Sequence, residues 1–331
     1  MNILIILIHS RVFINDVIDQ RVMSYQNFSQ PEKVSSVSAL SRGLSQNLTS
    51  DAYGYNPTAQ FYPPVLRLIG TVLEDESFGK VEPLRVCELG CGDGVQSAFS
   101  ALALQKKKIP IEVYTFDCRP EALEKTRESF RELEVSDKLV FTGQDYIREL
   151  PEFPEGFFDI IFSISALHYD ALRSHDNFHG VIPERSWAVN WVDFVHTSIL
   201  PRLRDTGIYL HASKTDKASW PAERQLEREL FSPGGHRFQE PTDNIDTLAQ
   251  ILPYTHLNES LNGSGQIFSS TDGDITRYYP SAEQWNMLAK LAGAKVTNSY
   301  QWEQQDYDRP GKVEDFNVLW LKNMKNENTG V

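Results

Sequence analysis

The chain has 331 residues, of which 40% are hydrophobic and 11% aromatic, and this composition excludes wholesale disorder. Its formal net charge of -13 at pH 7 repels polyanions and argues against long nucleic acid as a partner. The odd cysteine count favours free thiols in a reducing, cytoplasmic compartment, and the sequence has no Cys/His cluster with zinc-ligand spacing, so no metal is predicted.

The amino-terminal segment MNILIILIHS is apolar, but it is too short to span a bilayer and has no basic residue before it. Three interpretations are open: an element packed on the domain, a weak membrane or partner contact, or a start assigned too early, with Met23 the true one. The Ser/Gln/Asn-rich stretch 24–50 is typical of a mobile leader. We therefore expect residues 1–49 to form a mobile extension without stable membrane insertion.

Four aromatic residues precede an apolar helix predicted from about Pro64 to Leu73. Aromatic side chains at this density require burial against another element. The simplest interpretation is a helix packed on the edge of a sheet; the four residues are Tyr53, Tyr55, Phe61 and Tyr62.

The segment Arg85–Phe99, RVCELGCGDGVQSAF, predicts a buried strand, a glycine loop and a helix from Val95 to Leu104. Such a loop is expected to expose backbone N–H groups and to let a ligand approach closely. Glu88 precedes the loop, and its carboxylate would repel a phosphate but suits a ligand that carries an ammonium group. The loop glycines are Gly90, Gly92 and Gly94.

An acidic residue followed by GxGxG resembles the first motif of class I S-adenosylmethionine-dependent methyltransferases. The resemblance implies a doubly wound α/β domain with a mainly parallel seven-stranded sheet and an antiparallel last strand. It also implies S-adenosylmethionine as cofactor, with its methionine part held by Glu88 and by the loop residues Gly90, Cys91, Gly92 and Gly94. The alternative is a tight strand-to-helix turn that binds no ligand.

A second strand, Ile111–Phe116, ends at Asp117 and Cys118, and a helix is predicted over Pro120–Leu133. A carboxylate at the end of a strand can accept hydrogen bonds from both hydroxyls of a ribose. The resemblance places Asp117 in that role and its neighbour Cys118 in the same site. The alternative is an N-cap for the following helix.

A short third strand, Leu139–Phe141, is followed by Asp145 and Tyr146. The resemblance implies that Asp145 contacts the adenine amino group and that Tyr146 meets the adenine ring through its backbone. Asp145 could equally cap the turn that begins at Tyr146.

The continuous apolar segment Phe157–Leu167 predicts a central fourth strand, followed directly by His168 and Tyr169. FDIIFSISALHYD resembles the fourth motif of small-molecule methyltransferases, which implies Ser163 near the methionine end of the cofactor and the acceptor at His168 and Tyr169. Open α/β sheets also bind ligands beyond the carboxyl ends of their strands. His168 is either a general base for the acceptor or a residue that only orients substrate or caps the strand.

An aromatic helix is predicted within Asp176–Ile199, and a fifth strand over Ile208–Ala212 after a turn at Gly207. Trp187 and Trp191 could line the substrate pocket, although core packing explains each of them as well. Residues 218–276 exceed the minimal fold, and an insertion at this place implies a substrate or lid region. It ends in a Ser/Gly/Asp-rich stretch, 260–274, predicted as a loop.

The chain closes with a helix capped by Ser281 and stopped at Gly293, and then strands near Lys295–Trp302 and Phe316–Leu321. The predicted organisation is an extension (1–49), a methyltransferase domain (50–322) that includes the insertion, and a tail (323–331).

The resemblance implies transfer of a methyl group from S-adenosylmethionine to an oxygen or nitrogen atom of a small organic acceptor. The supply of Trp and Tyr side chains suits an aromatic acceptor, and Tyr53 and Tyr55 are then candidates for an aromatic lid over the substrate. One alternative is a macromolecular acceptor, either a protein or RNA, since ALHY also resembles messenger RNA cap guanine methyltransferases. Another is a scaffold that binds the cofactor without turnover. The oligomeric state is left open.

Overall fold

A computed structural model of the chain describes residues 64, 68, 82–106, 108–168, 187–215, 268–272, 275–305 and 313–323. The predictions for Tyr53, Tyr55, Tyr169 and residues 1–49 lie outside the described residues, as do those for most of the insertion 218–276. The described elements are β1 (Leu84–Leu89), α1 (Val95–Lys106), β2 (Ile111–Phe116), α2 (Pro120–Glu132), β3 (Leu139–Gly143), α3 (Tyr146–Glu149), β4 (Phe158–Ile164), α4 (Trp187–Phe194), β5 (Leu203–Lys214), β6 (Phe268–Asp272), β7 (Ile275–Tyr279), α5 (Ala282–Leu291), β8 (Ala294–Gln305) and β9 (Val313–Asn323).

The chain divides into two compact units. The first, called the sheet unit here, contains the described residues within 85–91, 114–120 and 141–323; the second, the helix unit, contains the described residues within 64–84, 92–113 and 121–140. The helix unit contains α1 and nearly all of α2. Both helices start where the sequence predicts them.

Seven strands form one sheet in the order β3-β2-β1-β4-β5-β9-β8. Strand β4 pairs in parallel with β1 and β5, whereas β9 runs antiparallel to both β5 and β8. The chain therefore has the predicted architecture, a mainly parallel seven-stranded α/β sheet with an antiparallel last strand.

The core of the sheet unit is rich in aromatic residues. The seven strands contribute one apolar face, and α4 and α5 contribute large side chains that include Trp187, Trp191 and Trp285, all three without exposed surface. All eight residues of α4 are buried, and the helix continues as a π-helical turn, Val195–Ile199. A helix that is apolar on all sides must lie inside a protein.

Three predicted elements differ from the observed ones. Strand β4 ends at Ile164 rather than at Leu167, because Ser165 adopts a left-handed conformation with φ of 52° that ends the extended backbone. Strand β5 extends from Leu203 to Lys214, well beyond the predicted Ile208–Ala212, since β4 pairs with Leu203 at its start and β9 pairs with Ser213 and Lys214 at its end. Residues 268–272, expected in a loop, form a strand that pairs with β7.

The predicted limits of α5 are confirmed. Ser281 and Gln284 form a reciprocal capping box, in which each side chain bonds the other residue's backbone N–H. Gly293 follows the helix with φ of 75°, the left-handed conformation that favours glycine at a helix end.

Candidate functional site

Glu88 and the first part of the glycine loop lie at the carboxyl end of β1, in the sheet unit. Glu88 is only 2% exposed. Burial raises the pKa of the neighbouring Cys87 thiol, and the negative charge of Glu88 raises it further. The backbone N–H groups of Gly90 and Cys91 both donate to the carbonyl oxygen of Phe116, at 2.8 Å each. The prediction that these two amides are exposed for a ligand is therefore wrong, because they tie the loop to the end of β2.

Gly90 is required by packing. Its φ is 72°, and a Cβ atom at this position would lie 2.4 Å from the Cβ atom of Ala166, which follows β4. A substitution would combine backbone strain with a steric clash. The loop between β1 and α1 is thus fixed closely against the end of β4.

The rest of the glycine loop belongs to the helix unit. The hydroxyls of Thr126 and Ser129 on α2 donate to the carbonyl oxygens of Gly92 and Asp93, at 3.3 and 2.8 Å. A Cβ at Gly94 would lie 2.4 Å from Cγ2 of Thr126, whereas one at Gly92 would meet no described atom within 4 Å. Packing explains the glycine at position 94, and open space adjoins the one at position 92.

Asp117 follows β2, and its residue is 5% exposed. Its carboxylate accepts hydrogen bonds from the backbone N–H of Arg119 at 3.0 Å and from the Arg119 guanidinium at 3.0 and 3.3 Å. The carboxylate thus closes the turn before α2, as the capping alternative predicts in part.

Asp145 is the N-cap of α3. Its Oδ1 accepts from the backbone N–H groups of Ile147 and Arg148, at 3.1 and 3.2 Å, and Oδ2 lies 3.4 Å from Nε of Arg148. Glu149 completes the arrangement, because its Oε1 accepts from the backbone N–H of Asp145 at 2.7 Å. The capping alternative is confirmed, and the adenine contact of Asp145 stays a prediction.

The ends of β2 and β3 bring four of the predicted cofactor residues together. The backbone N–H of Asp117 donates to the carbonyl oxygen of Gly143 at 3.1 Å. Burial raises the pKa of the Tyr146 hydroxyl, and Cys118, Asp117 and Asp145 raise it further. Burial likewise raises the pKa of the Cys118 thiol, with Asp117 as the next cause. These mutual effects show that two carboxylates, a thiol and a phenol share one site, which we call the acidic site.

Ser163 on β4 takes part in a triad that the sequence did not reveal. Its Oγ lies 2.8 Å from the hydroxyl of Tyr209 and 2.9 Å from Nδ1 of His211, and the last two atoms lie 3.2 Å apart. All three residues are fully buried. The alternation of Tyr209, His211 and Ser213 along the buried strand β5 places three polar groups on one face, and this was the signal in the sequence. The predicted contact of Ser163 with a cofactor stays a prediction.

The imidazole of His211 lies among indole rings. Its ring centroid is 4.5 Å from that of Trp285 and 5.4 Å from that of Trp191, and the two indoles are 5.3 Å apart. Burial lowers the pKa of His211 from 6.5 to about 3, so the ring is neutral at pH 7. Trp187 stacks on Tyr278 with a centroid distance of 4.8 Å. The core packing weighed for Trp187 and Trp191 is therefore observed, and their contact with substrate stays a prediction.

Several buried polar atoms near these rings have no hydrogen-bond partner among the described residues. They are His211 Nε2, Ser213 Oγ, both side-chain atoms of the Asn317 amide, and Nε1 of Trp187, Trp191 and Trp285. Buried polar groups in folded proteins are almost always hydrogen-bonded, and a buried donor without a partner costs about 1–3 kcal/mol.

His168 follows β4 and its residue is 2% exposed. Its carbonyl oxygen accepts from the backbone N–H of Tyr278 at 2.8 Å, and its ring centroid lies 6.3 Å from that of Tyr279. The end of β4 is thus attached to the β6–β7 hairpin. The role of His168 as a base stays a prediction.

Two features are absent from the described part of the chain. No group of three His, Cys, Asp or Glu side chains there is arranged to hold a metal ion. No helix there combines the length and apolar character that a membrane crossing requires.

Comparison with known proteins gives one family match. Residues 86–181 match the family model described as a methyltransferase domain. The matched segment runs from β1 past the end of β4, so it includes the residues of the acidic site and of the glycine loop. This part of the chain is therefore similar to a methyltransferase domain. No curated protein matches the sequence significantly.

Solved structures resemble the chain at low identity. A SAM-dependent methyltransferase from Methanosarcina mazei is 11% identical, with 74% of this chain and 95% of that chain covered and a TM-score of 0.44. A cofactor-bound protein from MTB is 12% identical, with 92% and 97% covered and a TM-score of 0.44. A protein from Pyrococcus horikoshii OT3 is 14% identical, with 82% and 93% covered and a TM-score of 0.42.

Proposed function

We propose that the protein is an S-adenosylmethionine-dependent methyltransferase that acts on an oxygen or nitrogen atom of a small organic acceptor. The observation that carries this proposal is the acidic site within a matched methyltransferase domain. Its two carboxylates follow the adjacent strands β2 and β3, and both raise the pKa of a buried phenol hydroxyl, that of Tyr146. A nucleoside has two ribose hydroxyls and an amino group, from which the carboxylates can accept hydrogen bonds. It also has a flat ring, against which the phenol ring can pack.

The residues fit the cofactor on chemical grounds. Asp117 follows β2, where a carboxylate can accept hydrogen bonds from both hydroxyls of a ribose. Glu88 supplies a negative charge at the end of β1, which favours the ammonium group of the methionine part. When bound, S-adenosylmethionine supplies a methyl group made electrophilic by its sulfonium.

The residues of the chain then bind the cofactor and orient it towards the acceptor. Asp117 and Cys118 hold the ribose side, Asp145 and Tyr146 the adenine side, and Glu88 with the glycine loop the methionine side. His168 is placed at the carboxyl end of β4, where it orients the acceptor and can take its proton. Methyl transfer is an in-line displacement, so orientation and exclusion of water account for much of the rate.

The domain limits belong to the same proposal. Residues 50–322 form the methyltransferase domain, residues 218–276 its substrate and lid region, and Tyr53 and Tyr55 contact the substrate. The net charge of -13 favours a small acceptor over RNA.

Calorimetry tests the cofactor assignment. The wild-type chain should bind S-adenosylmethionine and S-adenosylhomocysteine, and Asp117→Asn should weaken both by about 100-fold, because hydrogen bonds to a charged group contribute about 1.5–3 kcal/mol each. Asp137→Asn is the control, since the Asp137 side chain is 68% exposed and forms an exposed ion pair with Lys138. Equal affinity in Asp117→Asn and wild type would contradict the ribose assignment.

Transfer is tested with methyl-labelled S-adenosylmethionine. A panel of phenols, amines, capped RNA and peptides separates the acceptor classes, and label in a phenol or amine product supports the proposal. Label in RNA or peptide alone would overturn the small-molecule acceptor. Binding of the cofactor without label in any product would favour a scaffold.

A further inference from the structure

Three ring systems of the sheet unit form a group that the cofactor assignment does not use. The rings of His211, Trp191 and Trp285 lie pairwise within 5.4 Å of one another. Each ring has one nitrogen, His211 Nε2 or an indole Nε1, that is buried without a hydrogen-bond partner among the described residues. We call these three residues the donor cluster.

The hydrogen-bond network of the triad bears on which nitrogen of His211 carries the proton. When Tyr209 donates to Ser163 Oγ and Ser163 donates to Nδ1 of His211, over distances of 2.8 and 2.9 Å, both hydroxyl hydrogens are used within the triad. The opposite tautomer would leave one hydroxyl hydrogen without an acceptor in the triad. We therefore assign the acceptor role to Nδ1 and the single proton of the neutral imidazole to Nε2.

The donor cluster thus presents three N–H groups, because the indole nitrogen is also a donor only. A molecule that satisfies them must supply acceptor atoms. Two more polar side chains without partners, Ser213 and Asn317, face each other across β5 and β9 two residues further along. The cluster and the triad contain no ionised group, so a charged ligand would lose its hydration without compensation.

The position of the donor cluster suits a ligand as well. His211 pairs with Ser163 near the carboxyl ends of the parallel strands β4 and β5. Open α/β sheets bind their ligands at that edge. The two indole rings have no exposed surface, so an aromatic molecule bound among them would be shielded from water.

We propose that the donor cluster binds the methyl acceptor, and that this acceptor is a neutral aromatic compound with carbonyl or hydroxyl oxygen atoms. The inference deepens the proposed function and rests on it. The donor cluster indicates the chemical class of the acceptor, whereas methylation of that acceptor depends on the proposed cofactor. His211 is here a binding residue, with its Nε2–H donating to an oxygen atom of the ligand.

Three matched probes test the chemistry by calorimetry on the full chain, with S-adenosylhomocysteine present and absent. Coumarin is neutral, aromatic and carries a carbonyl oxygen; 2H-chromene lacks that carbonyl; coumarin-3-carboxylate adds a charge. Coumarin should bind about tenfold more tightly than either of the others, which corresponds to one hydrogen bond in a buried site.

Substitutions at His211 distinguish a role in ligand binding from a purely structural role. Asn reaches the position of Nδ1 only, so His211→Asn keeps a group beside Ser163 but loses the Nε2 donor, and coumarin affinity should fall about tenfold. Gln reaches the position of Nε2, so His211→Gln should stay within about threefold of wild type. If His211 acts only through the bond of its Nδ1 to Ser163, His211→Gln should weaken coumarin binding more than His211→Asn.

Trp285→Phe keeps an aromatic ring without the N–H group and should weaken coumarin binding about fivefold. Trp320→Phe is the matched control. Trp320 Nε1 is also buried without a partner, but its residue pairs with Leu210, which alternates with His211 and so lies on the opposite sheet face. This control should leave coumarin binding unchanged, and thermal unfolding checks that every variant is folded.

The outcomes distinguish this inference from the proposed function. Unchanged S-adenosylhomocysteine affinity together with weaker coumarin binding in His211→Asn and Trp285→Phe supports the inference. Equal coumarin affinity in wild type and both variants would overturn it, whatever the cofactor result. Failure of all three probes to bind, with cofactor binding intact, would mean that internal water satisfies the cluster and would also overturn it. If the wild-type chain does not bind the cofactor, the proposed function is contradicted instead.

Discussion

Two regions of the sheet unit differ in the kind of ligand that they can accept. The acidic site at the ends of β2 and β3 contains two carboxylates, Asp117 and Asp145, each in contact with an arginine. The donor cluster on β4, β5, α4 and α5 contains neutral N–H groups without exposed surface. The first can receive a polar, hydroxyl-bearing molecule and the second a neutral oxygen-bearing one. A single sheet edge thus offers complementary chemistry for a donor and an acceptor of a group.

The difference also extends to how each region is held. In the acidic site, the polar groups bond to nearby backbone N–H groups in the sequence, as Asp145 does with Ile147 and Arg148. At the donor cluster, His211 is held across strands by the triad, through the bond between its Nδ1 and Ser163, 48 residues away. We expect substitutions to affect local order in the first region and the core in the second.

The largest effect is expected at Gly90, which joins the loop to β4. Gly90→Ala places a Cβ 2.4 Å from that of Ala166 and fixes an alanine at φ of 72°, so the free energy of unfolding should fall by about 3 kcal/mol or more. Denaturant unfolding measures this change. Gly156→Ala is the control, because Gly156 has φ of 66° with no described atom near its added Cβ. A similar loss in both variants would mean that strain alone, and not the contact with Ala166, matters.

The pH dependence of stability tests the difference between the charged acidic site and the neutral donor cluster. Burial lowers the pKa of His211 to about 3 in the folded chain, against 6.5 for the unfolded one. Between these values the unfolded chain binds the extra proton, so stability rises with pH there and is lost as the pH falls below 6.5. At pH 5 the loss from this one group is about 2 kcal/mol.

The measurement is denaturant unfolding of wild type and His211→Gln at pH 5 and 7.5. Since glutamine does not titrate in this range, the variant should lose less stability on acidification by about 2 kcal/mol. Parallel losses in the two proteins would contradict the assignment of a neutral, buried His211.

A smaller effect is expected at Tyr209. Tyr209→Phe keeps the ring but removes the hydroxyl that lies 2.8 Å from Ser163 Oγ, and the free energy of unfolding should fall by about 1.5 kcal/mol. The pair of substitutions Tyr209→Phe and Ser163→Ala should cost less than the sum of the two alone, because they share that bond. Additive losses would show that the triad does not act as one network.

The smallest effect is expected at the cap of α3. Asp145→Ala should lower the free energy of unfolding by about 1 kcal/mol, whereas Asp145→Asn, which also caps well, should be close to neutral. Cofactor affinity is measured for both variants in the same experiment. If Asp145→Asn leaves stability and affinity unchanged, the carboxylate serves as a cap and the adenine contact is contradicted.

Most elements could be predicted from the sequence because their signals are local. Apolar runs marked β1, β2 and β4, and Ser281 and Gly293 marked the limits of α5, with boundaries right to within a few residues. The hairpin β6–β7 was missed, since its Ser-rich strand FSSTD has the composition of a loop and its pairing with ITRYY is a tertiary event. The glycine loop was found, but its predicted free amides were not, because the carbonyl of Phe116 that binds them comes from another strand.

The sequence by itself determined the class of fold and the acidic site, because a strand followed by a glycine loop or an Asp is a contiguous pattern with a local physical cause. The tertiary structure decided the donor cluster, whose members are contributed by α4, β5 and α5 and are far apart along the chain. A single Trp or His residue in an apolar segment does not indicate which residues it will contact in the folded chain. Only the packing of these three elements against one another brought their N–H groups together and removed them from water.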